Sequence, residues 1–232
     1  DGALRIGNMY YYGNGVEKDY LKAKEYYEIA VSRENNASAF HNLGDLYQNG
    51  FGVQQNITKA IEYFELATRY GNNVSPMKLG LMYLKGNGVQ QDYAKAKEYY
   101  EIAARLDHPN SYSKLGYIYF EGKGVEVDYI RAKEYFETGV SKNDAESMHN
   151  LGNLYACGLG IEKDHEKAIN LIQMAALLNY SPASFDLALI YLKGEIVEKN
   201  TRTALHFLYL AAQQNNKDAI DLLAQYSRLL TN

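Results

Sequence analysis

The stretch from Leu79 to Ala103 reads LGLMYLKGNGVQQDYAKAKEYYEIA, and its pattern recurs along the whole chain of 232 residues. The opening pair, or its equivalent, returns as Ile6-Gly7, Leu43-Gly44, Leu79-Gly80, Leu115-Gly116, Leu151-Gly152 and Leu187-Ala188, at an interval of 37 and then of 36 residues. A fixed period of this length marks a repeat architecture in which each copy is one supersecondary unit. Three residues after the glycine or alanine stands a tyrosine: Tyr10, Tyr47, Tyr83, Tyr119, Tyr155 and Tyr191. Leu43, Gly44 and Tyr47 share one helical face, where the glycine admits a neighbouring helix. This predicts a first helix, A.

Glycines two apart (Gly13/Gly15, Gly50/Gly52, Gly86/Gly88, Gly122/Gly124, Gly158/Gly160) close helix A where a positive φ is wanted. A β-branched residue follows, and three residues later comes Asp19, Asn56, Asp92, Asp128, Asp164 or Asn200, residue types favoured as helix N-caps. A second helix, B, starts there, with Ala60, Phe64 and Ala67, or Ala96, Tyr100 and Ala103, at i, i+4 and i+7.

One such hairpin cannot bury its own apolar face, whereas stacked copies share a continuous core. The expected fold is therefore all-α: a right-handed superhelical solenoid of six helical hairpins with a C-terminal capping helix. The copies fall at about 1–36, 37–72, 73–108, 109–144, 145–180 and 181–216, and the cap at 217–232, forming a single domain over 1–232. The last copy departs most, with Ala188 for glycine and Glu195-Ile196 in the second glycine region. The chain opens inside a helix A at Ala3-Leu4, and this start is read as a truncation of a longer array.

The pattern Ala-x-x-x-Leu-Gly-x-x-Tyr-x-x-Gly-x-Gly-Val-x-x-Asp-x-x-Lys-Ala-x-x-Tyr-Tyr-x-x-Ala resembles the Sel-one-like repeat family, relatives of tetratricopeptide repeats, over residues 3–216. The 36-residue spacing and the Gly-x-Gly-Val loop separate it from plain tetratricopeptide repeats, which use 34. The resemblance implies a protein-binding adaptor. It also implies that variable positions of helix A line a concave groove, at three residues before and one, four and five after the glycine. In the third and fourth copies these include Met77, Leu81, Leu84, Tyr117 and Phe120, an apolar and aromatic centre; Lys85, Ser113 and Glu121 complete the two sets. His41, Asp45, Gln48 and Asn49 in the second copy, with His149, Asn153, Ala156 and Cys157 in the fifth, supply a polar rim. The first copy adds Asn8, Tyr11 and Tyr12, and the sixth Phe185, Leu189 and Leu192. Such a face suits a protein interface; the alternative is that these side chains pack between tightly coiled turns.

Composition sets the outer limits. Hydrophobic residues make up 47% and charged residues 22%, as in a folded rather than a disordered protein. There are 23 tyrosines against seven phenylalanines and no tryptophan, so much of the buried aromatic surface carries a hydroxyl that needs a partner. A net charge of −4 gives no footprint for a phosphate backbone, and no nucleic-acid partner is expected. No apolar run reaches the length of a membrane span, so no membrane insertion is expected within this stretch. The lone Cys157 cannot form an internal disulfide; a buried or half-buried thiol is expected, and it favours a reducing, cytoplasmic setting without fixing the compartment.

The Gly-x-Gly loops lack the spacing of a phosphate-binding loop and read as helix stops. None of the five histidines (His41, His108, His149, His165, His206) pairs with another histidine or a cysteine at i, i+4 or in a Cys-His cluster, so no metal or other cofactor is expected. The Lys-Glu-Tyr-Tyr-Glu segments read as solvated helix surface with i, i+4 pairing. Sequons at Asn36-Ala37-Ser38, Asn56-Ile57-Thr58 and Asn73-Val74-Ser75, the last followed by Pro76, do not establish secretion. The leading expectation is a non-enzymatic adaptor that binds a protein or peptide segment. Its alternatives are a regulatory repeat module of a larger signalling or quality-control protein and, behind that, a hydrolase on the same scaffold. The oligomeric state is left open.

Overall fold

A computed structural model describes residues 2–231 of the chain, with side chains through Tyr226. Asp1 and the last residue of the expected cap, Asn232, lie outside the described residues. Among the described residues there are thirteen α-helices and no strand, an all-helical repeat fold. The A and B helices alternate as six hairpins: α1 (Gly2–Tyr12) with α2 (Tyr20–Glu34), α3 (Ala37–Asn49) with α4 (Ile57–Arg69), α5 (Val74–Lys85) with α6 (Tyr93–Arg105), α7 (Ser111–Glu121) with α8 (Tyr129–Ser141), α9 (Ala145–Cys157) with α10 (His165–Leu177), and α11 (Ser181–Lys193) with α12 (Thr201–Gln213). The final helix, α13 (Lys217–Thr231), packs on α12. The chain divides into two compact units, 1–111 and 112–232, each holding three hairpins.

Every hairpin is closed by the same two bonds at the start of helix B. The cap residue is extended, and its side-chain oxygen accepts from the backbone N–H three residues on, at 3.0 Å for Asp19, Asn56, Asp92, Asp128 and Asp164 and 2.9 Å for Asn200. Each such cap stabilises its helix by about 0.5–2 kcal/mol. The backbone N–H of the same residue donates to the carbonyl of the helix A tyrosine, as Asp92 does to Tyr83 at 2.9 Å. The cap thus starts one helix and ties it to the other.

The glycine loops take the predicted geometry. Gly86 ends α5 at φ 70° with its N–H on the Met82 carbonyl, and Gly88 follows at φ 74°. A Cβ on Gly88 would come within 2.8 Å of Ile57, at the start of the preceding helix B, so the second glycine also lets the loop lie against the previous hairpin. In the sixth copy Ile196 stands at that position without a positive φ, and the loop takes a different form.

The glycine of helix A is required by packing. A Cβ on Gly44 would sit 2.5 Å from Cε1 of Phe64, and the same holds for Gly7 under Tyr27 and Gly80 under Tyr100. Of the two adjacent aromatics in helix B, the second fills this recess. The first stacks on the helix A tyrosine: Tyr10 on Tyr26, Tyr47 on Tyr63, Tyr83 on Tyr99 and Tyr119 on Tyr135, with centroids 5.6–5.8 Å apart. A cation from the first turn of helix B covers that tyrosine, Lys22, Lys59, Lys95, Arg131 and Lys167 in turn, 4.3–5.4 Å from the ring centre. A second lysine of helix B pairs with the glutamate four residues on, as Lys24 with Glu28, Lys97 with Glu101 and Lys133 with Glu137.

Candidate partner-binding site

The A helices of both units carry the residues expected to take part in recognition. In the first unit, α5 presents Met77, Leu81 and Leu84 at i, i+4 and i+7, one stripe of the helix. Met77 and Leu84 are half-buried, and Leu81 is 40% exposed. The opposite stripe of α5, with Leu79 and Met82, is buried in the core, so this helix is apolar on two faces and covers one of them.

The polar residues of this unit are bonded to their neighbours along the array. Nδ1 of His41 lies 2.8 Å from Oγ of Ser75, joining α3 to α5. Nε2 of His41 lies 3.6 Å from Asp45, whose carboxylate also takes the ammonium of Lys78. Burial pushes the His41 pKa below its ordinary value, and nearby Lys78 adds to this while Asp45 opposes it. Asn49 is exposed and donates to the Asp45 carbonyl. Between α1 and α3, Asn8 accepts from Asn42 at 2.9 Å and from the hydroxyl of Tyr27 at 2.8 Å. Tyr11 is half-buried, with its ring edge-on to Tyr20 at 5.4 Å and to Tyr12 at 4.9 Å; Tyr12 itself is exposed.

The second unit repeats the arrangement with different residues. Lys114 on α7 donates to both carboxylate oxygens of Glu146 on α9, at 2.7 and 2.6 Å. Nε2 of His149 on α9 is 2.7 Å from Oδ2 of Asp186 on α11, and Nδ2 of Asn153 stands 3.5 Å from the same imidazole. His149 is 8% exposed and its ring packs near that of Tyr180. Tyr117 is half-buried, and Phe120 is held edge-on by Tyr129 at 5.6 Å.

Of the residues expected to line a groove, His41, Asp45 and His149 therefore join successive A helices, while Leu81, Tyr12 and Asn49 reach solvent. The partners Ser75, Lys78 and Asp186 were missed by sequence reasoning; the available signal was complementary side chains 33–37 residues apart. Cys157 corrects an expectation: it is exposed, because α9 ends there and Gly158 turns the chain away.

The second unit also holds a cavity of about 240 Å³ on this face. Ala156, Ile172, Leu189 and Ile190 form its apolar lining, and Asn153, Asp186, Lys193 and Glu195 its polar lining, with Ile196 from the altered sixth loop. Among the described residues no three His, Cys, Asp or Glu side chains are placed to hold a metal, and no helix is long and apolar enough to cross a membrane.

Comparison with known proteins places this architecture. The family model described as Sel1 repeat matches residues 1–35, 37–72, 77–108, 109–144, 145–180 and 181–216. A Sel1 repeat protein from Oxalobacter formigenes is 35% identical with a TM-score of 0.84, over 91% of this chain and 86% of that one. The protein c5321, a protective antigen of uropathogenic Escherichia coli strains with an SLR fold, is 30% identical with a TM-score of 0.78 over 96% of this chain, which spans only 48% of its length. The immunity protein Pa5087 from Pseudomonas aeruginosa shares the fold at 19% identity, with a TM-score of 0.59 over 90% of this chain and 81% of that one. No curated protein matches the chain.

Proposed function

The chain belongs to the Sel1-repeat family, whose members are generally protein-interaction modules, and from this premise we propose that it is a non-enzymatic adaptor whose A helices hold a segment of a partner protein. The observation that carries the reading is the second apolar stripe of α5. On a helix that already buries Leu79 and Met82, Met77 and Leu84 are covered only in part and Leu81 stays 40% exposed, so this stripe keeps apolar surface that folding leaves open. Apolar side chains set among polar neighbours on a surface are the usual anchors of an interface.

In the first unit Met77, Leu81 and Leu84 serve as apolar contacts, with Tyr12 and Asn49 as adaptable polar ones. In the second, Tyr117 and Asn153 play these parts. Phe120 and Tyr11 shape the face from behind, and His41, Asp45 and His149 hold successive A helices in the register that presents it.

The test is affinity capture from native lysate with the wild-type chain and a Leu81→Asp variant, after circular dichroism shows that both are equally helical. A captured protein lost in the variant supports the reading. One retained at full yield by the variant removes the α5 stripe from the interface.

A further inference from the structure

The cavity of the second unit combines an apolar lining with carboxylates at its edge. We propose that it is a side-chain pocket for an arginine of the partner segment, an inference that rests on the adaptor reading and adds a specificity determinant to it.

Size comes first. At about 240 Å³ the cavity falls below the roughly 300 Å³ at which sites for whole small molecules begin, and it suits one long side chain. Its lining then selects among side chains. Ala156, Ile172, Leu189 and Ile190 offer an apolar passage, of which Ile172 is nearly fully buried. Asp186, which His149 holds through one oxygen, and Glu195 bring two carboxylates to the edge beside the ammonium of Lys193. Among the described residues Oδ1 of Asp186 and the carboxylate of Glu195 make no hydrogen bond or ion pair, while Oδ2 of Asp186 is fixed by His149. Apolar stem and excess negative charge together describe a long cationic side chain, which buries its methylenes and keeps its charged end toward water. Arginine fits better than lysine because its planar guanidinium carries five donors and can serve two separate acceptors.

The pocket also has a cause in the sequence. It is bounded by Glu195, at the variable position of the sixth loop, and by Ile196, which replaces the second glycine of the Gly-x-Gly pattern. In the second and third copies a glycine at the Ile196 position lets the loop lie against the preceding helix B more closely than a side chain would allow.

The test is a methyl NMR titration of the whole chain with N-acetyl-L-arginine methylamide, following Ile172, Leu189, Ile190 and Ile196. N-acetyl-norleucine methylamide provides the same stem without charge. The arginine probe is expected to shift these methyls and to bind roughly threefold or more tightly than norleucine, with Glu195→Gln removing most of the difference and Lys193→Ala enlarging it. Ala156→Leu, which fills the cavity, should abolish the shifts. Equal binding of both probes, or an unchanged arginine response in Glu195→Gln, overturns the proposal. The two readings fail distinguishably: a partner captured through Leu81 by a chain blind to the arginine probe sinks the pocket alone, and an arginine-selective chain that captures no protein sinks the adaptor reading while the pocket's selectivity for arginine stands.

Discussion

The imidazole of His149 on α9 and the carboxylate of Asp186 on α11 meet at 2.7 Å across two successive hairpins, with the histidine almost wholly buried. Removing the carboxylate leaves a buried nitrogen without its partner, which costs the desolvation of that group as well as the bond. Asp186→Ala is expected to lower stability by about 1–3 kcal/mol in urea unfolding. His149→Ala should then cost less in the Asp186→Ala background than in the wild type, where it removes the same bond as well as the packing near Tyr180. Fully additive losses would show that the pair is not coupled.

Replacing the helix A glycine should reverse the usual effect of alanine. In an exposed helix Gly→Ala gains up to about 1 kcal/mol. At Gly44 the new methyl would lie 2.5 Å from the Phe64 ring, and overpacking of this kind costs about 1–3 kcal/mol. Gly44→Ala should therefore lower the Tm, and adding Phe64→Leu should recover part of the loss. The sixth copy already uses that combination, with Ala188 packed near Leu208. A higher Tm for the single variant contradicts the packing argument.

Acid should weaken the first unit through His41. Burial depresses its pKa in the folded chain, while the unfolded chain titrates near 6.5. Below that pH the unfolded state binds the extra proton first, so stability falls as the pH drops from about 6.5 toward the native value and is unaffected above it. His41→Gln can still bond Ser75 and cannot titrate. Urea midpoints of the variant should decline less between about pH 7 and pH 5; parallel declines would assign the acid sensitivity to other groups.

At Asp92 the carboxylate caps α6, and the backbone N–H separately ties the helix to Tyr83. Asp92→Ala removes only the first and should cost about 0.5–2 kcal/mol, while Asp92→Ser should cost little. Faster hydrogen exchange confined to the first turn of α6 and its hairpin partner is the expected signature. Uniform acceleration across the unit would mean that the cap acts through global stability.

The helices were legible because their starts and stops are chemical. Asp92, Gly86 and Gly88 each perform the local role that their residue type implies, and the Tyr100 recess over Gly80 follows from the spacing of two signatures. Less legible was the end of helix B. Asn35, Gly71, Asp107, Asn143, Asn179 and Asn215 all adopt positive φ at intervals of 36 residues, yet one of the six is glycine and the others are common surface residues. Of the candidate site, the apolar stripe on α5 could be read from spacing. The bonds of His41 and Asp45 could not, because they depend on which residues of the next copy come opposite, and that register is set by packing.

The polar pairs have a consequence for the order of the copies. In the first unit the residue just after one helix A glycine meets the residue two before the next: Asn8 with Asn42, and Asp45 with Lys78. In the sixth copy this second position belongs to Asp186. A hairpin framework of shared glycines, alanines and aromatics would accept almost any other hairpin beside it. Were the second copy to dock on the sixth during folding, Asp45 would face Asp186, two carboxylates where the native neighbour offers an ammonium. The framework makes the hairpins alike, and within the first unit these few side chains let a hairpin distinguish its own successor from its look-alikes.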